Sequence, residues 1–99
     1  LQLLMELPDQ EKVWHYAAER LQPLVDYDQA NRKDLMHTLE VYLSTNCNAM
    51  ETARRLYVHR NTLNYQLSRI RILLGMELES ADERNEMMNV LQIYRYCRR

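Results

Sequence analysis

The sequence predicts an all-α domain of five helices built around a helix-turn-helix, winged-helix-like or Fis-like in plan. Three observations carry this. The 99 residues contain one Gly, two Pro and no Phe, against many Leu, Met, Glu, Arg and Gln, which lose little rotamer freedom in a helix. Apolar residues recur at three- and four-residue spacings, and no strand-like alternation occurs. Capping and stop residues then cut the chain into helix-sized segments. The length suits one small domain with one core.

Leu1 to Leu7 reads as a lead-in, the end of a linker or of a preceding element, leaving residues 9–99 as the domain. The chain opens Leu1-Gln2-Leu3-Leu4 without an initiator Met, so it reads as part of a longer protein. Pro8 suits the start of a helix, where a missing N–H costs nothing. Val13, Ala17, Leu21 and Leu24 follow at helical spacing, with Trp14, Ala18 and Val25 beside them. Pro23 interrupts this stripe, so the first helix is expected to end near Leu21, with a short helical turn from Pro23 to Tyr27. Asn31, three residues before Asp34, is the expected N-cap of the second helix. Leu35, Leu39, Tyr42 and Leu43 stripe that helix, which should stop around Ser44 to Asn46.

Asn48 and Glu51 approximate a capping box for the third helix, whose expected buried face is Met50, Ala53, Leu56 and Tyr57. Val58 and His59 break the pattern. Leu63, Leu67, Ile70 and Leu74 then mark a fourth helix from about Arg60 to Leu74, and Gly75 is its stop. Ser80 and Glu83 cap a last helix striped by Met87, Leu91 and Tyr94.

The third and fourth helices, about 48–74 with a three-residue connection, satisfy the packing demands of a helix-turn-helix. Ala53 is the small residue where the second helix crosses the first. Tyr57 stands at the turn position that wants positive φ and commonly holds Gly. Val58 pins the turn, and Leu63 faces back onto the first helix. With Leu63 pointing inward and 100° per residue, Asn61, Asn64, Tyr65 and Ser68 point outward, with Arg60 at the helix start. Asn pairs in bidentate fashion with adenine and Arg with guanine. Thr62, Ser68 and the helix N-terminus suit phosphate, and His59 is placed either to touch phosphate or to cap the helix.

Net charge is −1, unlike a typical nucleic-acid binder, but it is unevenly spread. From Thr52 to Met76 there is no Asp or Glu, while Arg54, Arg55, Arg60, Arg69 and Arg71 all fall there. One basic segment in an acidic body orients a molecule towards an anion. Four or five phosphate contacts from these arginines would give a log–log salt slope of about −4.

The run Tyr57-Val58-His59-Arg60-Asn61-Thr62-Leu63-Asn64-Tyr65-Gln66-Leu67-Ser68-Arg69-Ile70 resembles the C-terminal helix-turn-helix domain of PucR/CdaR-type bacterial regulators. The phrase His-Arg-Asn-Thr-Leu, followed by Tyr and Leu-x-Arg-Ile, is unusually specific, and the likeness extends from about Leu24 to Arg95. The resemblance implies a cytoplasmic transcription factor that binds double-stranded operator DNA, a homodimer in its full-length form, with a small-molecule effector bound by an N-terminal region absent here. Relatives often carry Arg at the positions of Asn64 and Gln66, which implies weaker charge-driven affinity in this chain. They also often carry Gly at the position of Cys47 and a Thr cap at that of Lys33. Two other readings are a Fis-like DNA-binding module of another regulator class and a helical dimerisation or protein-interaction module without DNA binding.

Other signals are sparse. Cys47 and Cys97 match no zinc spacing and read as reduced, partly buried thiols. His15, His37 and His59 form neither a metal pair nor a catalytic triad, so no metal, cofactor or enzyme activity is expected. No run approaches the roughly 18 apolar residues of a membrane span. Trp14, Met88, Tyr94 and Tyr96 exceed what so small a core needs and suit a partner surface. Arg95, Arg98 and Arg99 read as a solvated basic tail.

Overall fold

The computed structural model describes the backbone of residues 2–97 and the side chains of residues 11–97. Five helices follow in order: α1 Gln2–Asn31, α2 Leu35–Ser44, α3 Ala49–Leu56, α4 Arg60–Leu74 and α5 Ala81–Tyr96. There is no strand among the described residues, so the helix-turn-helix α3–α4 is framed by helices alone. α1 packs against α2, α4 and α5, and α2 against α3, α4 and α5.

The core forms where the apolar stripes converge. α1 contributes Ala17, Leu21 and Leu24; α2 contributes Leu35, Leu39, Tyr42 and Leu43; α4 contributes Leu63, Leu67 and Ile70; α5 contributes Met87, Val90 and Leu91. α3 adds Ala53 and the fully buried Thr52. The Thr52 hydroxyl donates to the Asn48 carbonyl at 2.7 Å and shares a 2.8 Å hydrogen bond with the Thr45 hydroxyl, so its burial leaves no lone polar atom. The face expected for α3 is corrected here. Met50 is 71% exposed and Tyr57 93% exposed, because an eight-residue helix presents one narrow stripe, and Thr52 and Ala53 fill it.

The expected break at Leu21 does not occur. α1 runs through Pro23 to Asn31, and Pro8 also lies within it rather than at its start. Pro23 and Glu19, whose carbonyl loses its usual donor, are both exposed, which leaves that carbonyl to water. Leu21 and Leu24 are completely buried, and burying each is worth about 1.5–3 kcal/mol, together at least matching the roughly 3 kcal/mol cost of an interior proline. At the other end of the stripe Val13 is 41% exposed.

The cap of α2 is Asp34, not Asn31. Asp34 accepts from the His37 amide at 3.2 Å, while Asn31 closes α1 by donating to the Tyr27 carbonyl at 2.9 Å. Asp28, one turn back on α1, adds a second cap, accepting from the Leu35 and Met36 amides at 2.7 and 3.1 Å. Asn48 caps α3 and Ser80 caps α5, through the amides of Glu51 and Glu83, as their spacing predicts.

Four helices end alike. The amide of Lys33 donates to the Asp28 carbonyl, Cys47 to Tyr42, Val58 to Ala53 and Met76 to Arg71, at 2.8–3.2 Å. Each is a six-residue Schellman closure around a left-handed residue: Arg32, Asn46, Tyr57 and Gly75, with φ of 54°, 60°, 57° and 69°. The sequence's only glycine serves one of these corners, and larger residues hold the other three.

Trp14 and Tyr94, read as suited to a partner surface, meet each other. Their rings stack 5.7 Å apart with 10° between planes, and the indole N–H donates to the Tyr94 carbonyl at 3.2 Å. Arg20 and Glu86 add an ion pair between α1 and α5. Met88 and Tyr96 remain exposed. Arg95 pairs with Glu40 rather than forming a free tail, and Arg98 and Arg99 lie outside the described residues. Both cysteines are free thiols, but Cys97 is exposed rather than partly buried, since it caps the solvent end of α5.

Candidate nucleic-acid interface

α4 is fixed at three places. At its start, His59 is the N-cap: its Nδ1 accepts from the Asn61 amide at 3.0 Å, so of its two expected roles the capping one is the contact observed. At its end, Gly75 provides the left-handed stop. Between them, Leu63, Leu67 and Ile70 are buried against a helix pair whose crossing is made close by Ala53, itself buried. Tyr57 takes the left-handed turn conformation, φ 57° and ψ 44°, at the position where the sequence pattern calls for it.

With that inner face buried, Arg60, Asn61, Thr62, Asn64, Tyr65 and Ser68 are all exposed. The sequence thus brings its candidate base-reading and phosphate-facing residues together on one side of a rigid helix. The face extends one turn further than expected, to Ile72, which is 69% exposed. An apolar residue near a helix end reads as part of the core stripe, and only the angle from Leu63 places it outside.

The arginines are deployed less uniformly than their clustering suggests. Arg54 is held by both Glu51 oxygens at 2.6 and 2.7 Å, and Arg55 by one at 3.2 Å. These bonds hold the half-buried Glu51 carboxyl below its ordinary range and raise Arg54. Arg71 donates to the Glu77 carbonyl at 3.0 Å and the Tyr42 hydroxyl at 3.4 Å, which ties it to the α4–α5 connection. Arg69 lies over two aromatic rings, Tyr65 at 5.5 Å and Tyr27 at 5.8 Å, and donates to the Tyr65 hydroxyl at 3.0 Å. That hydrogen bond, with the Arg69 charge and a smaller contribution from Lys33, pushes the Tyr65 hydroxyl below the usual tyrosine range. Arg60 forms no ion pair among the described residues.

Two supporting contacts were not visible in the motif. Thr38 on α2 donates to Gln66 at 3.1 Å, and Tyr27 on α1 stacks on Arg69. Both brace the same flank of α4 from helices outside the helix-turn-helix. Among the described residues no cluster of His, Cys, Asp or Glu is arranged to hold a metal ion, and no helix is long and apolar enough to cross a membrane.

A helix-turn-helix whose second helix exposes one face and buries the other has the plan of the helical DNA-binding domains. Residues 35–93 match the PucR C-terminal helix-turn-helix domain, and the chain belongs to that family. It is a DNA-binding domain of the transcription-regulator type. It is 39% identical over 92 residues to a purine catabolism regulatory protein of Bacillus subtilis, covering 93% of this chain and 17% of that protein. It is 33% identical over 78 residues to a carbohydrate diacid regulator of Escherichia coli, covering 78% of this chain and 20% of the relative. A proline-responsive transcriptional activator of Bacillus subtilis is 31% identical over 75 residues, covering 76% of this chain and 18% of the relative. The chain therefore spans a fifth or less of these relatives' length. No solved structure matches.

Proposed function

We propose that α4 enters the major groove of duplex DNA and reads base edges through Arg60, Asn61, Asn64 and Tyr65. Thr62, Ser68, Arg69 and the α3 arginines Arg54 and Arg55 meet the flanking phosphates. Arg71 is left out, because its guanidinium is spent within the fold. The observation that carries this reading is the exposed, acid-free face from Arg60 to Ser68 on a helix fixed at both ends and buried on its other side. Side chains on a fixed helix reach base edges with little ordering cost.

The relatives' lengths and names support a larger context for the same reading. The domain serves a non-enzymatic, cytoplasmic regulator that binds paired half-sites as a homodimer, with a small-molecule effector held by a region outside this chain.

Selection from a random duplex library tests the groove assignment. An enriched motif is expected, and Asn61→Ala should relax one of its positions, since a bidentate pair contributes about 1–3 kcal/mol of base discrimination. A library that shows no enrichment, or an Asn61→Ala variant that enriches the unchanged motif, would remove α4 as the reading element.

A further inference from the structure

The cations within the helix-turn-helix are largely engaged with other groups. Glu51 offsets Arg54 and Arg55, and Arg71 is bound to the Glu77 carbonyl. Unpaired positive charge appears instead at the corner between α1 and α2. Arg32 and Lys33 are both exposed there, and among the described residues neither forms an ion pair.

This corner is beside the reading face. Going round α4 from Leu63, the contacts Thr38–Gln66 and Tyr27–Arg69 mark the flank that meets α1 and α2. Tyr65 and Arg69 lie between that flank and the outer face, while Asn64 and Ser68 lie to its other side. Tyr27 precedes the corner at the end of α1 and Thr38 follows it at the start of α2, and both touch this flank of α4, so the corner adjoins the Arg69 side of the helix. The carboxylates at the corner are already committed. Asp28 accepts from the Leu35 and Met36 amides, and Asp34 from that of His37, so their charge is directed into the start of α2. Arg32 sits in the left-handed conformation that ends α1, a position where an L-residue other than Gly, Asn or Asp is strained. A long cation is thus held at a site that favours a smaller residue.

We propose that Arg32 and Lys33, together with Arg69, form a second contact with the phosphate backbone of duplex DNA, beside the groove occupied by α4. This rests on the groove-binding reading above and extends the phosphate contact of Arg69 to cations outside the helix-turn-helix. The occupant follows from charge complementarity: two exposed cations without ion pairs, next to a helix face that offers hydrogen bonds and the Arg69 charge, match a polyanion that runs along that helix.

The test is fluorescence anisotropy of the 99-residue chain on a labelled duplex of mixed sequence, titrated from about 50 to about 200 mM salt. The double variant Arg32→Asn and Lys33→Gln removes two charges and keeps a residue at position 32 that tolerates the left-handed conformation. Its thermal melting serves as the fold control. Loss of two phosphate contacts should make the log–log salt slope shallower by about 1.8 and narrow the wild-type-to-variant affinity ratio about 12-fold across that salt range. A slope equal to the wild type's would overturn the corner contact. Arg60→Ala, run in parallel, distinguishes the two levels. If it weakens binding while the corner variant does not, the corner proposal alone fails. If the corner variant weakens binding while Arg60→Ala does not, the corner contact stands and the assignment of Arg60 to the reading face fails. A wild-type chain that does not bind the duplex overturns both.

Discussion

Replacing Tyr57 with glycine separates backbone strain from side-chain packing at the turn of the helix-turn-helix. Tyr57 holds φ 57° and ψ 44°, where an L-residue sits at a disadvantage of about 1–2 kcal/mol. Its ring is 93% exposed, so removing it forfeits almost no burial. Glycine relieves the strain but gains freedom in the unfolded chain, which offsets about 0.5–1 kcal/mol. The midpoints of these ranges leave a net gain of about 0.75 kcal/mol, worth roughly 3–6 °C in Tm for a domain of this size. Circular dichroism melting at 222 nm measures it. Tyr57→Ala is the control: it keeps the left-handed strain and removes the ring, and Tm should stay within about 2 °C of wild type. A glycine variant that melts at or below the wild-type temperature, or an alanine variant that falls by several degrees, would refute the reasoning by showing that the ring packs.

Three further outcomes are expected. Ala53→Leu should overpack the α3–α4 crossing and destabilise the fold by about 1–3 kcal/mol, and an unchanged urea midpoint would contradict the close crossing. His59→Ala should cost about 0.5–2 kcal/mol through the lost N-cap, with His59→Ser restoring most of it; if Ser fails to rescue, the cap is not what His59 contributes. Iodoacetamide followed by mass spectrometry should label Cys97 well before Cys47, because burial pushes the Cys47 thiol up and its Sγ lies 3.8 Å from the Leu78 carbonyl. Equal rates would show that Cys47 is open to solvent.

Where local chemistry and tertiary packing agree, the sequence is transparent. Asn48, Ser80 and Gly75 mark helix ends because each satisfies backbone groups locally. The Leu63, Leu67 and Ile70 stripe needs no knowledge of neighbours to indicate which side of α4 faces out. The exceptions are places where a distant residue decides. Pro23 looks like a stop until the burial of Leu21 and Leu24 is weighed against it. Asn31 looks like a cap, yet Asp34 lies at the right place and Asp28 reaches over from the previous turn. The acid-free window begins at Thr52, one residue after the Glu51 that binds two of its arginines. Arg69 and Arg71 are indistinguishable in a charge count, and only the fold sends one to a pair of tyrosines and the other to a carbonyl. Arg32 and Lys33 look neutralised in the sequence because Asp28 and Asp34 flank them, and nothing local reveals that those carboxylates serve the start of α2.

The double cap by Asp28 has a mechanical consequence. Its carboxylate belongs to α1 and its two donors to α2, so swinging the helices apart breaks two hydrogen bonds to a charged group at once, at about 1.5–3 kcal/mol each. The Schellman bond from Lys33 to the Asp28 carbonyl anchors the same residue from the backbone side. The bend from α1 to α2 is therefore braced from both its side-chain and its backbone side, which resists hinging. Any turn of α1 carries α2 with it, and the two cations at the apex keep a fixed bearing relative to the rest of the domain.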